Sequence, residues 1–193
     1  DDPADIAFAV NLMSAICTSI AAMMIAWTTI MFGKLALLGR NTDTSNAENI
    51  ALSFAGLVAG LATAFSTSIW FSAVEGEVYA MSTMFTVMTL WAAAKYYYIE
   101  DESEALRWLV LSLFVSGMSV GVHLLSILSL PAIALLVYYK KYKEHTIKGA
   151  LIAMAAGVAA IVFIMKVIIV GIPTLWKNME LLFVNSFGLP VHS

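Results

Sequence analysis

Charge is what this sequence has least of. Only 12% of its residues are Asp, Glu, Lys or Arg, where a soluble domain carries about a quarter. The net charge of −3 is too small to claim nucleic acid or a strongly acidic partner. The single cysteine, Cys17, excludes a disulfide within the chain, and it lies inside an apolar run, so it says nothing of redox compartment. There is no phosphate loop, zinc-ligand spacing, dinucleotide fingerprint or nucleophile elbow. No period of 20–50 residues marks a tandem repeat. The chain also lacks an initial Met and a signal peptide before Asp1. With a polar end at Val191-His192-Ser193, it reads as an internal piece of a larger protein.

What the chain has instead is apolar length. It is 61% hydrophobic with a mean hydropathy of +0.89. The excess falls in runs of about 20 residues, which is what a helix needs to cross a hydrocarbon core of roughly 30 Å. The expected fold is all-α, a polytopic membrane bundle of about six transmembrane helices over 1–173. The spans are 6–32, 49–71, 78–97, 105–122, 124–139 and 149–170, with an amphipathic outer segment over 174–193 leading to a C-terminal region beyond the chain. Ser45 and Glu48 match a capping box before the second span. A tight turn is expected near His123 to Ser129, and Pro131 suits the first turn of the fifth helix, where its missing N–H costs nothing.

The basic residues orient such a bundle. With alternating spans, Lys34, Arg40, Lys95, Arg107, Lys140, Lys141, Lys143 and Lys148 fall on one side, and Lys166 and Lys177 lie toward the other. The positive-inside rule makes the first side cytoplasmic. Glu75, Glu77 and His123 are then at the outer face, as is the N-terminal end. Gly56-xxx-Gly60 and Gly117-xxx-Gly121 put small residues on single helix faces. They read as packing within the bundle, with an oligomer interface as the alternative; oligomeric state stays open.

Chemistry concentrates in two places. In Trp70-Phe71-Ser72-Ala73-Val74-Glu75-Gly76-Glu77-Val78-Tyr79, two carboxylates sit two apart between the second and third spans. The plainer reading is a polar turn with a capping Glu. The functional one is an acidic site for a hydroxyl acceptor, a cation or a sugar. His123 is the second place: an ionisable residue beside an apolar span is a functional candidate, able to meet a phosphate or to pair with Glu75 or Glu77. Its plainer reading is a boundary histidine bonded to a carbonyl. Asn11 and Ser14 read as interhelical hydrogen-bonding groups, and the basic loop over 140–148 as topology and anionic-lipid contact.

Four strings carry a resemblance: Asn11-Leu12-Met13-Ser14-Ala15, Glu75-Gly76-Glu77-Val78-Tyr79 with the residues before it, Gly121-Val122-His123-Leu124-Leu125, and Phe183-Val184-Asn185-Ser186-Phe187-Gly188-Leu189-Pro190. In this order the chain resembles a bacterial membrane-protein family of formerly unknown function, related to an animal transmembrane protein O-mannosyltransferase. The resemblance implies a C-type glycosyltransferase fold that moves a sugar, mannose, from a polyprenyl-phosphate carrier to a protein hydroxyl outside the cytoplasm. It also implies the bacterial inner membrane as the location, and as partners the bilayer, the lipid-linked donor and a protein acceptor. The sequence requires no cofactor and leaves room for a divalent cation. The resemblance puts Glu75 and Glu77 on acceptor or sugar positioning and His123 on the phosphate. The family's acidic Asp-Cys-Gly-Glu loop is not reproduced by Asp1, Asp2 and Asp5, so its general base is expected upstream and this piece alone is expected to be inactive. The alternatives from other classes are a transporter or channel, and a non-catalytic lipid-binding scaffold.

Overall fold

A computed structural model describes residues 2–39 and 43–191. Arg40, counted above among the basic residues, lies outside them, as do Asp1, Asn41, Thr42, His192 and Ser193. The described residues form helices and no strand. In chain order these are α1 (Pro3–Leu37), α2 (Asn46–Ala64), α3 (Thr67–Val74), α4 (Val78–Tyr98), α5 (Glu102–Ser119), a 3₁₀ segment (Leu124–Ser129) running into α6 (Leu130–Lys141), α7 (Ile147–Phe163), a π segment (Ile164–Gly171) and α8 (Ile172–Phe187).

Local chemistry starts these helices where the sequence says. Asp2 caps α1, accepting from the Ala4 N–H at 3.0 Å. Ser45 and Glu48 form the expected reciprocal box: the Ser45 N–H donates to Glu48 Oε2 at 2.8 Å and the Glu48 N–H to Ser45 Oγ at 3.3 Å. Asp101 caps α5 through the Glu104 N–H at 2.7 Å. Pro131 stands in the first turn of α6, so the 3₁₀ segment and α6 follow one another without needing its missing donor.

Packing is inverted relative to a soluble protein. The buried set is mostly small or hydroxylated, with Ala21, Ala22, Ala80, Ala92, Ala93, Ala94, Ala105, Ser82, Thr89, Ser112, Ser116 and Ser119, beside a few larger residues such as Leu52, Val115, Ile127 and Ile133. The large apolar side chains face outward, among them Phe8, Phe54, Val58, Val110, Phe114, Ile152 and Val162. In water that surface would be a severe liability. In lipid it costs nothing, and small residues let helix backbones approach closely. Four helical stretches are long and apolar enough to cross a membrane: Pro3–Leu37, Asn46–Ala64, Leu124–Lys141 and Ile147–Phe187. The protein is therefore an integral membrane protein built from helices.

The centre of the bundle is α4, which packs on α1 on one side and α5 on the other; α2 lies on α1, and α7 on α6. A seam of hydroxyls joins α4, α5 and the 3₁₀ segment. Ser112 Oγ donates to the Thr89 carbonyl at 2.8 Å, Ser119 and Ser126 share a hydroxyl–hydroxyl bond, and Ser126 also reaches the Ser116 carbonyl. Lys140 of α6 ties the far end of α4, donating to the carbonyls of Tyr96 and Ile99 and lying 4.7 Å from the Tyr96 ring centroid.

Two elements differ from the sequence reading. The stretch 49–71 is two helices, broken at Phe65 and Ser66. There the Phe65 ring stacks on Trp70 at 5.7 Å, and the Ser66 hydroxyl turns back to the Thr63 carbonyl. The sixth span does not end at 170 with a separate outer segment after it. Ile147–Phe187 is one continuous helical rod, because the π segment widens the backbone just ahead of Pro173. Proline lacks an N–H and crowds the carbonyl four residues back, and a π turn absorbs both defects without ending the helix. Gly188, at φ +66°, terminates the rod in the left-handed conformation that glycine adopts most readily.

Candidate functional site

One end of the bundle gathers residues that the sequence keeps far apart. Glu75 and Glu77 both have extended backbones, and the Glu77 N–H donates to the Glu75 carbonyl at 2.8 Å. This closes a γ-turn on Gly76. The turn rests on α1: a Cβ on Gly76 would lie 3.0 Å from Val10 Cγ1 and 3.4 Å from Asn11 Oδ1. Gly76→Ala should therefore push the turn off α1 and cost about 1 kcal/mol, the low end of overpacking. Thermal denaturation in detergent measures this, and an unchanged Tm would mean that the turn does not rest on α1.

Glu77 occupies the N-cap of α4, but its side chain makes no capping bond. The plainer reading, a capping Glu, thus accounts for its place in the backbone and not for its carboxylate. Both carboxylates are exposed. Among the described residues neither has a hydrogen-bond or ion-pair partner. Glu77 also stands where the positive end of the α4 dipole favours an anion.

Tyr79, in the first turn of α4, brings in His123. The two rings lie 5.6 Å apart at 56°. His123 is half-buried and begins the 3₁₀ segment, with Nδ1 accepting the Leu125 N–H at 3.2 Å. With Nδ1 committed as an acceptor, the proton of the neutral ring sits on Nε2, which is left as a donor. The backbone N–H of His123 donates to the Ser119 carbonyl at 2.8 Å, but among the described residues its ring bonds to no carbonyl and forms no ion pair with Glu75 or Glu77. The structure gives it an aromatic neighbour instead, one the sequence reading did not single out.

Asn11 is at this end, beside Gly76. Ser14 is not an interhelical group: its hydroxyl donates to the Val10 carbonyl of its own helix at 3.2 Å, the usual back-bond of a serine inside a helix. Next to the turn, α1, α2 and α3 line an open-sided cavity of about 240 Å³, with Ala15, Thr18, Phe65, Trp70 and Val74 among its walls. Thr18 Oγ1 is buried there without a hydrogen-bond partner. Among the described residues no three His, Cys, Asp or Glu side chains come together as a metal-binding group.

The fold and this end together define a polytopic helical membrane protein with an exposed acidic turn, a histidine donor and an adjoining apolar cavity. The chain belongs to the family described as the protein O-mannosyl-transferase TMEM260 N-terminal domain, whose model matches residues 1–146. No curated protein and no solved structure matches the chain. The matched region takes in Asn11, Glu75, Glu77, Tyr79 and His123. It leaves out Phe183 to Pro190, one of the four strings that carried the resemblance. Membership supports a glycosyltransferase role.

Proposed function

We propose that this chain belongs to a membrane glycosyltransferase that moves mannose from a polyprenyl-phosphate carrier to a protein hydroxyl on the extracytoplasmic face. Family membership over residues 1–146 carries this reading. In it the bundle crosses the membrane six times, the acidic turn faces outward by the positive-inside count, and the membrane is the bacterial inner membrane. The cavity beside Trp70 admits the carrier, and Thr18 Oγ1 supplies a hydrogen bond within it. The donor is the one small molecule that the reading requires.

The chemistry is direct displacement at the anomeric carbon. The acceptor oxygen forms its bond to that carbon as the bond to the carrier phosphate breaks. The acceptor proton passes to a carboxylate, and the phosphate leaves with the carbon–oxygen electron pair. Glu75 and Glu77, whose carboxylates have no partner among the described residues, hold the acceptor or the sugar hydroxyls. The Nε2–H of His123 donates to the phosphate as charge builds on it.

A Glu77→Gln change keeps the shape and removes the charge. A hydrogen bond to a charged group is worth about 1.5–3 kcal/mol, so transfer from a lipid-linked mannose to an acceptor peptide should fall about tenfold to hundredfold in the intact protein. An undiminished rate in both Glu77→Gln and Glu75→Gln would remove the carboxylates from the site.

A further inference from the structure

At the other end of α1 and α4 lies a second cavity, of about 300 Å³. Its walls are apolar and aromatic, with Trp27, Trp91 and Tyr98, and its polar groups include the ammonium groups of Lys34 and Lys95. Both lysines are half-buried. Among the described residues no carboxylate lines this cavity. The aromatic wall is organised: Trp27 stacks on Trp91 at 6.0 Å and 21°, and Trp91 meets Trp108 edge-on at 5.2 Å. Lys95 Nζ lies 5.8 Å from the Trp91 ring and 5.9 Å from that of Trp108. Those contacts fix the ammonium in place without neutralising it.

We infer that this cavity binds the phosphate headgroup of an anionic membrane phospholipid. Position supports it: Asn11 and Lys34 are 23 residues apart on one unbroken helix, which at about 1.5 Å per residue is roughly 35 Å. That is about the thickness of a hydrocarbon core, so the cavity opens at the membrane face opposite the Glu75–Glu77 turn. Two cations with no carboxylate among the described residues that line the cavity, over an apolar wall that continues into the lipid-facing surface, match a phosphodiester joined to acyl chains. Basic pockets between membrane helices take such headgroups. The tryptophans suit the interface, where amphipathic rings settle. The inference needs only the membrane fold and stands apart from sugar transfer.

The test is native mass spectrometry of the intact protein, titrated with phosphatidylglycerol or phosphatidylcholine. One phosphatidylglycerol should be retained per chain, and phosphatidylcholine should not replace it. Each lysine near an anionic surface contributes about a factor of five, so Lys34→Gln with Lys95→Gln should weaken retention about thirtyfold and each single change about fivefold. Lys34→Arg with Lys95→Arg should retain the lipid, as should Lys166→Gln with Lys177→Gln on the rod from Ile147 to Phe187. Circular dichroism reports folding, and the single variants carry the test if the double variant does not fold. Parent-like retention in folded Gln variants would overturn the site. So would equal retention of phosphatidylcholine. Displacement of the lipid by millimolar inorganic phosphate would assign the cavity to a soluble anion instead.

Discussion

His123→Asn is expected to reduce sugar transfer by about a hundredfold to a thousandfold, the range measured when one donor is removed from a developing oxyanion, while leaving the fold intact. Asparagine is the informative replacement because His123 has two duties. Its Nδ1 accepts the Leu125 N–H at 3.2 Å and so starts the 3₁₀ segment, a task that a short amide side chain also performs at helix starts. Its Nε2–H has no such substitute. His123→Ala removes both, adding a stability loss of about 1 kcal/mol, so comparing the two variants separates chemistry from capping. The expected pattern is equal loss of turnover in both, with a lowered Tm in the alanine variant alone. Steady-state transfer from lipid-linked mannose and thermal denaturation read the two effects. Turnover in His123→Asn within threefold of the parent would leave His123 a purely structural residue.

Much of the helical layout was legible because membrane length is a hard constraint, and the runs that satisfy it are written in composition. Capping was legible for a similar reason: Ser45 and Glu48 act on each other across three residues, with no tertiary partner involved. What could not be read depends on contacts between distant segments. Tyr79 and His123 meet across 44 positions, and nothing in either neighbourhood names the other. The hydroxyl seam left a weak trace, since Ser112, Ser116 and Ser119 recur on one helix face, yet in a sequence this apolar they read as scattered small residues. Proline misled by its usual meaning. The expected sixth span ends at 170, just before Gly171 and Pro173, and the π segment carries the rod through them to Phe187. The site was half legible: the acidic turn announced itself by two charges in an apolar stretch, but its seat on Val10 and Asn11 required the fold.

The two glycine pairs show the same limit, because identical motifs have opposite surroundings. A Cβ on Gly56 would strike Ile30 and the Ala26 carbonyl, and one on Gly60 would crowd Ala22 and Ala26, so that pair packs on α1 within the bundle. Among the described residues a Cβ on Gly117 would meet nothing within 4 Å outside its own helix backbone, and one on Gly121 would meet only the Met118 carbonyl, at 3.5 Å. Gly117→Ala should then be neutral or stabilise α5 by up to about 1 kcal/mol, the helix-propensity gain of alanine over glycine.

Gly157, which belongs to neither motif, is the position where the largest structural effect is expected. A Cβ there would lie 2.5 Å from Pro131 Cα, 2.7 Å from Pro131 N and 2.9 Å from the Leu130 carbonyl. All three are backbone atoms, so no rotamer change relieves the clash, and α6 and α7 must move apart. Gly157→Ala should cost about 1–3 kcal/mol, against the propensity gain expected at Gly117. Gly157→Leu should abolish the docking of α7. Among the described residues α6 is the only substantial neighbour of α7, and α8 packs on no helix beyond the π segment that precedes it. The consequence therefore reaches the whole rod from Ile147 to Phe187, which is released as a unit. Thermal denaturation with limited proteolysis in detergent should show Gly157→Leu cut between Tyr142 and Thr146 while the α1–α5 bundle stays protected. A Gly157→Ala protein as stable as the parent would mean that α6 and α7 do not approach each other at Pro131.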